Sequence, residues 1–375
     1  MIKNRASWLP PPLAGVTIFL LGFLCSYFPH IDWYQNKIHA TPSLYSGYSL
    51  SERFLSLFFR WDTGWYSKIA YEGYPSTDPI RLAFFPAWPA VMSGLKPVFG
   101  SDPRLLHLAS MPIALICWTL SLFLWCKVID RIPMFKKTEC SWFPWLYAFY
   151  PTTLFCIIGY PDALFLLASS ALLLSTVQGL KWPIFLSMAL LVLTKHVGVT
   201  FGGLVLIWIL LYRRQSFLPA LAGFAISLAV ISYLSWSVAG HPLAWAKAHE
   251  SWKRQFGLPH LVFADLVGKG GVEMIVYAVF LFLGPLLIFR RLCRNIFTPE
   301  NLLPVAMAIG ILVPAWFSST SASLYRILYL VPFLLVMLSE WLERRSLVSQ
   351  YLFLALFLFM NGHATYRFVS GFALP

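Results

Sequence analysis

Apolar stretches of bilayer-crossing length alternate with polar turns along the whole chain, and only two polar loops, 30–103 and 239–271, are long. A span needs roughly 20 mostly apolar residues, which gives about eleven candidates. They lie near 12–29, 104–126, 142–158, 162–178, 182–194, 198–212, 217–238, 272–289, 302–317, 324–341 and 348–367. The apolar runs are continuous and do not alternate with period two, which selects a helical bundle over a barrel. The expectation is one all-α, polytopic membrane domain over 1–375. The segment 84–99 is apolar but broken by Pro86, Pro89 and Pro97, so it reads as re-entrant or interfacial. Lys3 and Arg5 precede the first run without a small-residue cleavage site after it, as in an uncleaved first span.

Charge orients the bundle. With a cytoplasmic N-terminus, every second short loop is basic: Lys127, Arg131, Lys136 and Lys137; Lys181; Arg213 and Arg214; Arg290, Arg291 and Arg294; Arg344 and Arg345. The positive-inside rule then puts both long loops and the C-terminus on the non-cytoplasmic side. The composition, 59% hydrophobic and 11% charged, excludes a soluble domain. The net charge of +13 flanks apolar spans, a distribution that suits membrane lipids and phosphates better than nucleic acid. The six cysteines lie in or beside spans without metal-ligand spacing.

In the first long loop, Leu50, Phe54, Leu57, Phe58, Trp61 and Trp65 recur at helical spacing. This predicts a helix lying on the bilayer with that face in lipid, and with Asp62 and Tyr66 together on a neighbouring face. Acidic residues number only 15 in 375, so an acid among Arg60, Trp61, Trp65, Tyr66 and Tyr74 is a candidate for chemistry. An interfacial aromatic belt, with Asp62 merely paired to Arg60 or Lys68, accounts for the same residues. Four other features stand on that side. Phe84-Phe85-Pro86-Ala87-Trp88-Pro89 reads as a groove or a proline-broken turn. Tyr160 precedes Asp162, which is a first-turn acid on a new span or a functional carboxylate. Lys195 and His196 form a cation pair in a tight turn, suited to snorkelling or to a phosphate clamp. Arg326, after the Ser-rich turn Ser318–Ser323, lies deep enough in a span to need a partner. An anionic ligand or an internal carboxylate such as Asp62 would supply one. The His249–Gln255 stretch is polar and aromatic and says little alone. Nucleotide-binding loops of the G-x-x-x-x-G-K-[ST] or G-x-G-x-x-G type are absent from the sequence.

Arg60-Trp61-Asp62, Trp65-Tyr66, Ile69-Ala70, Gly73-Tyr74 and Phe84-Phe85-Pro86 together resemble the GPI mannosyltransferase 2 family and its bacterial relatives. Tyr150-Pro151, Tyr160, Asp162, Leu164-Phe165, the Lys195–Gly198 turn and Arg326 continue the resemblance in order. It implies the C-type glycosyltransferase fold, with the active site on the non-cytoplasmic side. Implied too are a polyprenyl-phosphate-mannose donor and a lipid-linked or glycan acceptor. Asp62 would be the catalytic base, and the substrate-binding candidates are Arg60, Trp61, Trp65, Tyr66, Tyr74, Tyr160, Asp162, Lys195, His196 and Arg326. No metal or further cofactor is called for. Where eukaryotic members tend to have Arg-Ser-Asn-Gly, this chain has Lys195-His196-Val197-Gly198. The short loops resemble a bacterial or cyanobacterial homologue in a plasma membrane; a eukaryotic member would sit in the endoplasmic reticulum. Rival readings are a flippase or transporter, a non-catalytic assembly subunit, and a C-type transferase for another polyprenyl-linked sugar.

Overall fold

A computed structural model describes residues 9–27, 30–32, 37–41, 46–100, 102–136, 140–252, 257–268, 272–294, 297–318 and 324–371. Lys3, Arg5, 253–256 of the second long loop and 319–323 of the Ser-rich turn lie outside these residues.

The chain starts with α1 (Pro10–Cys25), then a two-stranded antiparallel hairpin, β1 (His30–Asp32) and β2 (Lys37–Thr41). The rest of the first loop carries α2 (Leu50–Ser56), α3 (Asp62–Glu72), α4 (Ala87–Ser93) and α5 (Lys96–Phe99). The bundle proper continues with α6 (Pro103–Arg131), α7 (Phe143–Phe149), α8 (Asp162–Gln178), α9 (Lys181–Thr194), α10 (His196–Tyr212) and α11 (Phe217–Ala239). In the second loop lie α12 (Ala244–Ala248) and α13 (Pro259–Gly268). Then follow α14 (Val272–Cys293), α15 (Leu302–Trp316), α16 (Leu324–Tyr329), α17 (Phe333–Glu343) and α18 (Leu347–Val369).

Most candidate spans are single helices. Two are not. The segment 142–158 stops as a helix at Tyr150, whose extended backbone (ψ 141°) is the conformation a following proline imposes. The segment 324–341 divides at Pro332 into α16 and α17. The expected surface helix through Leu50–Trp65 is also two helices, α2 and α3, joined by a turn in which Phe58 and Trp61 have positive φ (62° and 53°). Leu57 and Phe58 enter the core in place of lipid, while Leu50, Phe54 and Trp61 stay exposed. The 84–99 segment holds only the short helices α4 and α5, and its Phe85, Trp88 and Met92 enter the core.

Large apolar side chains such as Leu20, Ile116, Tyr233 and Phe359 are exposed on α1, α6, α11 and α18, as lipid-facing surfaces require. Several loops expected to be cytoplasmic meet one another. Arg291 binds Glu340 and the Met134 carbonyl, the Asn301 side chain accepts from the Met134 N–H (2.9 Å), and Arg213 pairs with Glu300 (3.3 Å). The N-termini of α8 and α10 lie at the other end of their helices from this cluster.

A buried chain of hydrogen bonds fixes α16. Trp118 Nε1 on α6 donates to the Tyr329 hydroxyl (2.7 Å), which donates to the Tyr147 carbonyl (2.6 Å), and the Tyr147 and Ser121 hydroxyls meet at 2.6 Å. Tyr150 stacks on Tyr329, and Asn361 of α18 donates to the Tyr150 carbonyl (2.9 Å). These bonds hold the two broken spans together at the points where their own helical bonding stops. Tyr329→Phe should leave the Trp118 N–H buried and unpaired, at a cost of about 1–3 kcal/mol. Thermal unfolding in detergent should show the loss, and adding Trp118→Phe should recover part of it.

Candidate active site

The site begins at the turn between α2 and α3. Thr63, fully buried, accepts the Arg60 N–H (2.7 Å) and lies within donating distance of the Phe58 and Arg60 carbonyls (3.0 and 2.7 Å). Those bonds offset the strain of two non-glycine residues at positive φ and set Asp62 as the first residue of α3. The Asp62 N–H donates to the Tyr160 hydroxyl (3.3 Å). Tyr66, one turn further, faces the same way, as the four-residue spacing predicts.

Asp162 opens α8, yet its carboxylate caps nothing. It is 1% exposed and bound by two cations. Arg326 reaches it through Nη2 (2.8 Å) and Nε (2.9 and 3.1 Å), and Lys195 Nζ through Oδ1 (3.0 Å). The remaining Arg326 nitrogen, Nη1, lies 3.3 Å from Asp62 Oδ2. The guanidinium also faces the rings of Tyr160 (4.5 Å) and Phe155 (4.9 Å). Arg326 thus has internal carboxylates as partners, and Asp62 is one of the two. Lys195 sits in a turn closed so tightly that a Cβ at Gly198 would come within 2.2 Å of the Leu191 carbonyl oxygen. That is why a glycine is required there.

An open cavity is lined by Asp62, Tyr66, Phe84, Phe85, Lys195, His196, Val197, His249 and Arg326, together with Ala83, Thr194, Ile327 and Leu330. Counted out to its mouth, with the open solvent there included, its empty space is about 700 Å³. The helices α3 and α10 both begin on it, so their partial positive ends face an incoming anion. Of the sequence candidates, Asp62, Tyr66, Lys195, His196 and Arg326 come together here. Tyr160 and Asp162 lie directly behind them. Arg60, Trp61, Trp65 and Tyr74 do not line the cavity: Trp61 is half exposed, Trp65 stacks on Phe84 (5.7 Å), and the Tyr74 hydroxyl donates to the Phe84 carbonyl (2.6 Å). Their contacts shape the loop from outside. Glu72, the acid at the far end of α3, is engaged by Arg81 (2.5 Å). His249 enters from the second loop, its ring 4.7 Å from that of His196. Nothing in its local sequence marks it, because a single histidine in a polar loop has no periodicity to read.

Burial, and then the Asp62 carboxylate, hold the Tyr66 phenol well above its ordinary pKa, so it stays a neutral hydroxyl. Burial, reinforced by the Arg326 guanidinium, pushes the Lys195 ammonium down to about 8.

No protein-family model matches the chain, and no curated protein does. Among solved structures it is similar to the crystal structure of ArnT from Cupriavidus metallidurans bound to undecaprenyl phosphate. The TM-score is 0.55 at 15% identity, over 94% of this chain and 64% of that one. The chain has the C-type glycosyltransferase fold. It spans 64% of the length of the ArnT chain, and at this identity the likeness is one of fold.

Lys195 should lose its proton as pH rises through about 8, whereas Arg326 stays charged. Sulfate keeps its charge across this interval. It should therefore raise the thermal midpoint more at about pH 7 than at about pH 9. Lys195→Arg should make the sulfate effect equal at both. An equal effect in the wild type would show that Lys195 is not the titrating cation.

Proposed function

We propose that the protein is an inverting glycosyltransferase that takes a sugar from a polyprenyl-phosphate donor at the non-cytoplasmic surface of its membrane. The observation that carries this reading is one carboxylate, Asp62, standing beside two cations, Arg326 and Lys195, in an open cavity at the bundle end. Asp62 accepts the proton of the acceptor hydroxyl as that oxygen attacks the anomeric carbon. The bond between that carbon and the phosphate oxygen breaks, and its electron pair leaves with the phosphate. Arg326 and Lys195 stabilise the charge that develops there. The apolar lining residues Phe85, Val197, Ile327 and Leu330 suit the first part of a lipid chain.

The crystal structure of ArnT, which shares this fold, is bound to undecaprenyl phosphate, and that supports a polyprenyl-phosphate donor here. Mannose as the sugar rests on the resemblance of Arg60–Tyr74 and the later motifs to GPI mannosyltransferase 2, and so does a bacterial plasma membrane. A different polyprenyl-linked sugar would use the same cations and the same base. The acceptor is a lipid-linked or glycan hydroxyl.

Purified protein incubated with radiolabelled polyprenyl-phosphate mannose and a lipid extract of the host should yield a labelled product whose mass identifies the acceptor. Asp62→Asn should lower the turnover by about 10²–10⁴-fold with donor binding retained. Near wild-type transfer by that variant would remove Asp62 from the mechanism. Label transferred only from another sugar donor would rule out mannose alone.

A further inference from the structure

We propose that the Tyr160-Pro161-Asp162 turn is the positioning element of the site. Asp162 holds Arg326 and Lys195 together as one phosphate seat and does not itself touch substrate. This rests on the donor reading above and adds to it a division of labour between the two carboxylates.

At 1% exposure, Asp162 is out of a substrate's reach. Its Oδ1 accepts from both Lys195 Nζ (3.0 Å) and Arg326 Nε (2.9 Å). Two cations sharing one oxygen in a water-poor interior would otherwise repel each other. The Asp62 contact is different. It is a single bond at 3.3 Å to a carboxylate that is one-third exposed. An anion entering the cavity can replace Asp62 on Nη1 while Asp162 keeps Nε and Nη2 in place. Asp162 is the permanent partner of Arg326 and Asp62 the exchangeable one, so donor arrival opens Asp62 to the acceptor hydroxyl.

The same turn sets the base. The Tyr160 hydroxyl accepts the Asp62 N–H, and its ring backs the Arg326 guanidinium. The turn is itself held. Gly159 has φ 77°, a Cβ there would lie 2.8 Å from Ser110 Oγ, and its carbonyl accepts from Trp88 Nε1 (2.6 Å). A three-residue segment thereby fixes the separation between base and phosphate seat. Among the described residues, the charged and titratable groups around Lys195, apart from Asp162, are Arg326, Asp62, Tyr66, Cys156, His196 and His249.

The test uses the full-length protein in detergent, with undecaprenyl phosphate as the binding probe and the donor KM and kcat as separate readouts. Asp162→Asn should weaken probe binding by about tenfold or more. In a Lys195→Gln background, where charge balance is preserved, it should cost less, because the repulsion between two cations that Asp162 offsets is then gone. Asp162→Glu should fold, bind better than Asp162→Asn and move the alkaline limb of donor KM to lower pH. A purely structural carboxylate would leave that limb in place. Tyr160→Phe should lower kcat with donor KM unchanged. Additive losses across the Asp162/Lys195 cycle, or an unmoved limb in Asp162→Glu, would overturn the proposal. A wild type that neither binds the probe nor transfers sugar would remove the donor reading, and this proposal with it.

Discussion

The ion pair between Asp162 and Arg326 is the constraint on which the cavity end of this bundle depends. A guanidinium inside an apolar bundle is costly unless it is paired and its hydrogen bonds are met. Arg326 is 7% exposed and meets this requirement with carboxylates from two distant segments of chain. The pairing therefore draws α3, α8 and α16 to one point. Lys195 joins through the same Asp162 oxygen and brings the α9–α10 turn with it. Remove the carboxylate and the interior holds two like charges with one exposed partner. Keep it, and the cations face outward from a fixed base.

Functional geometry here lies where regular structure stops. Asp62 follows two residues at positive φ, Lys195 fills the one-residue gap between α9 and α10, and Arg326 sits on a six-residue helix isolated by Pro332. Each interruption frees backbone groups that must be bonded elsewhere. Thr63 meets that need at the first, while Tyr329 and Asn361 secure the broken spans near the last. The polar side chains in these places are scaffolding, and the cavity residues rely on them for their aim.

Much of the site could be read from residue types and positions. Asp62 is a scarce acid among aromatic rings, and Arg326 and Lys195 are cations at the edge of apolar runs. Each is conspicuous because charge beside a bilayer is costly. Asp162 was open to a local explanation as a first-turn acid, and only its two cationic partners, 33 and 164 residues away, show otherwise. Tyr74 and Trp65 belong to the same motif as Asp62 but turn to Phe84, since a motif records proximity along the chain and not direction in space. His249 lay in a polar and aromatic stretch that said little alone.

Hydrophobic length was enough to establish a polytopic helical bundle, because bilayer thickness acts on every segment independently, and the alternation of basic loops set the expectation for its orientation. Which spans are broken, which carboxylate is buried between two cations and which stays partly exposed, and which aromatics face the cavity were decided by tertiary structure. Those outcomes depend on pairings between residues remote in sequence, and an ion pair forms only when the fold has already brought its two halves together.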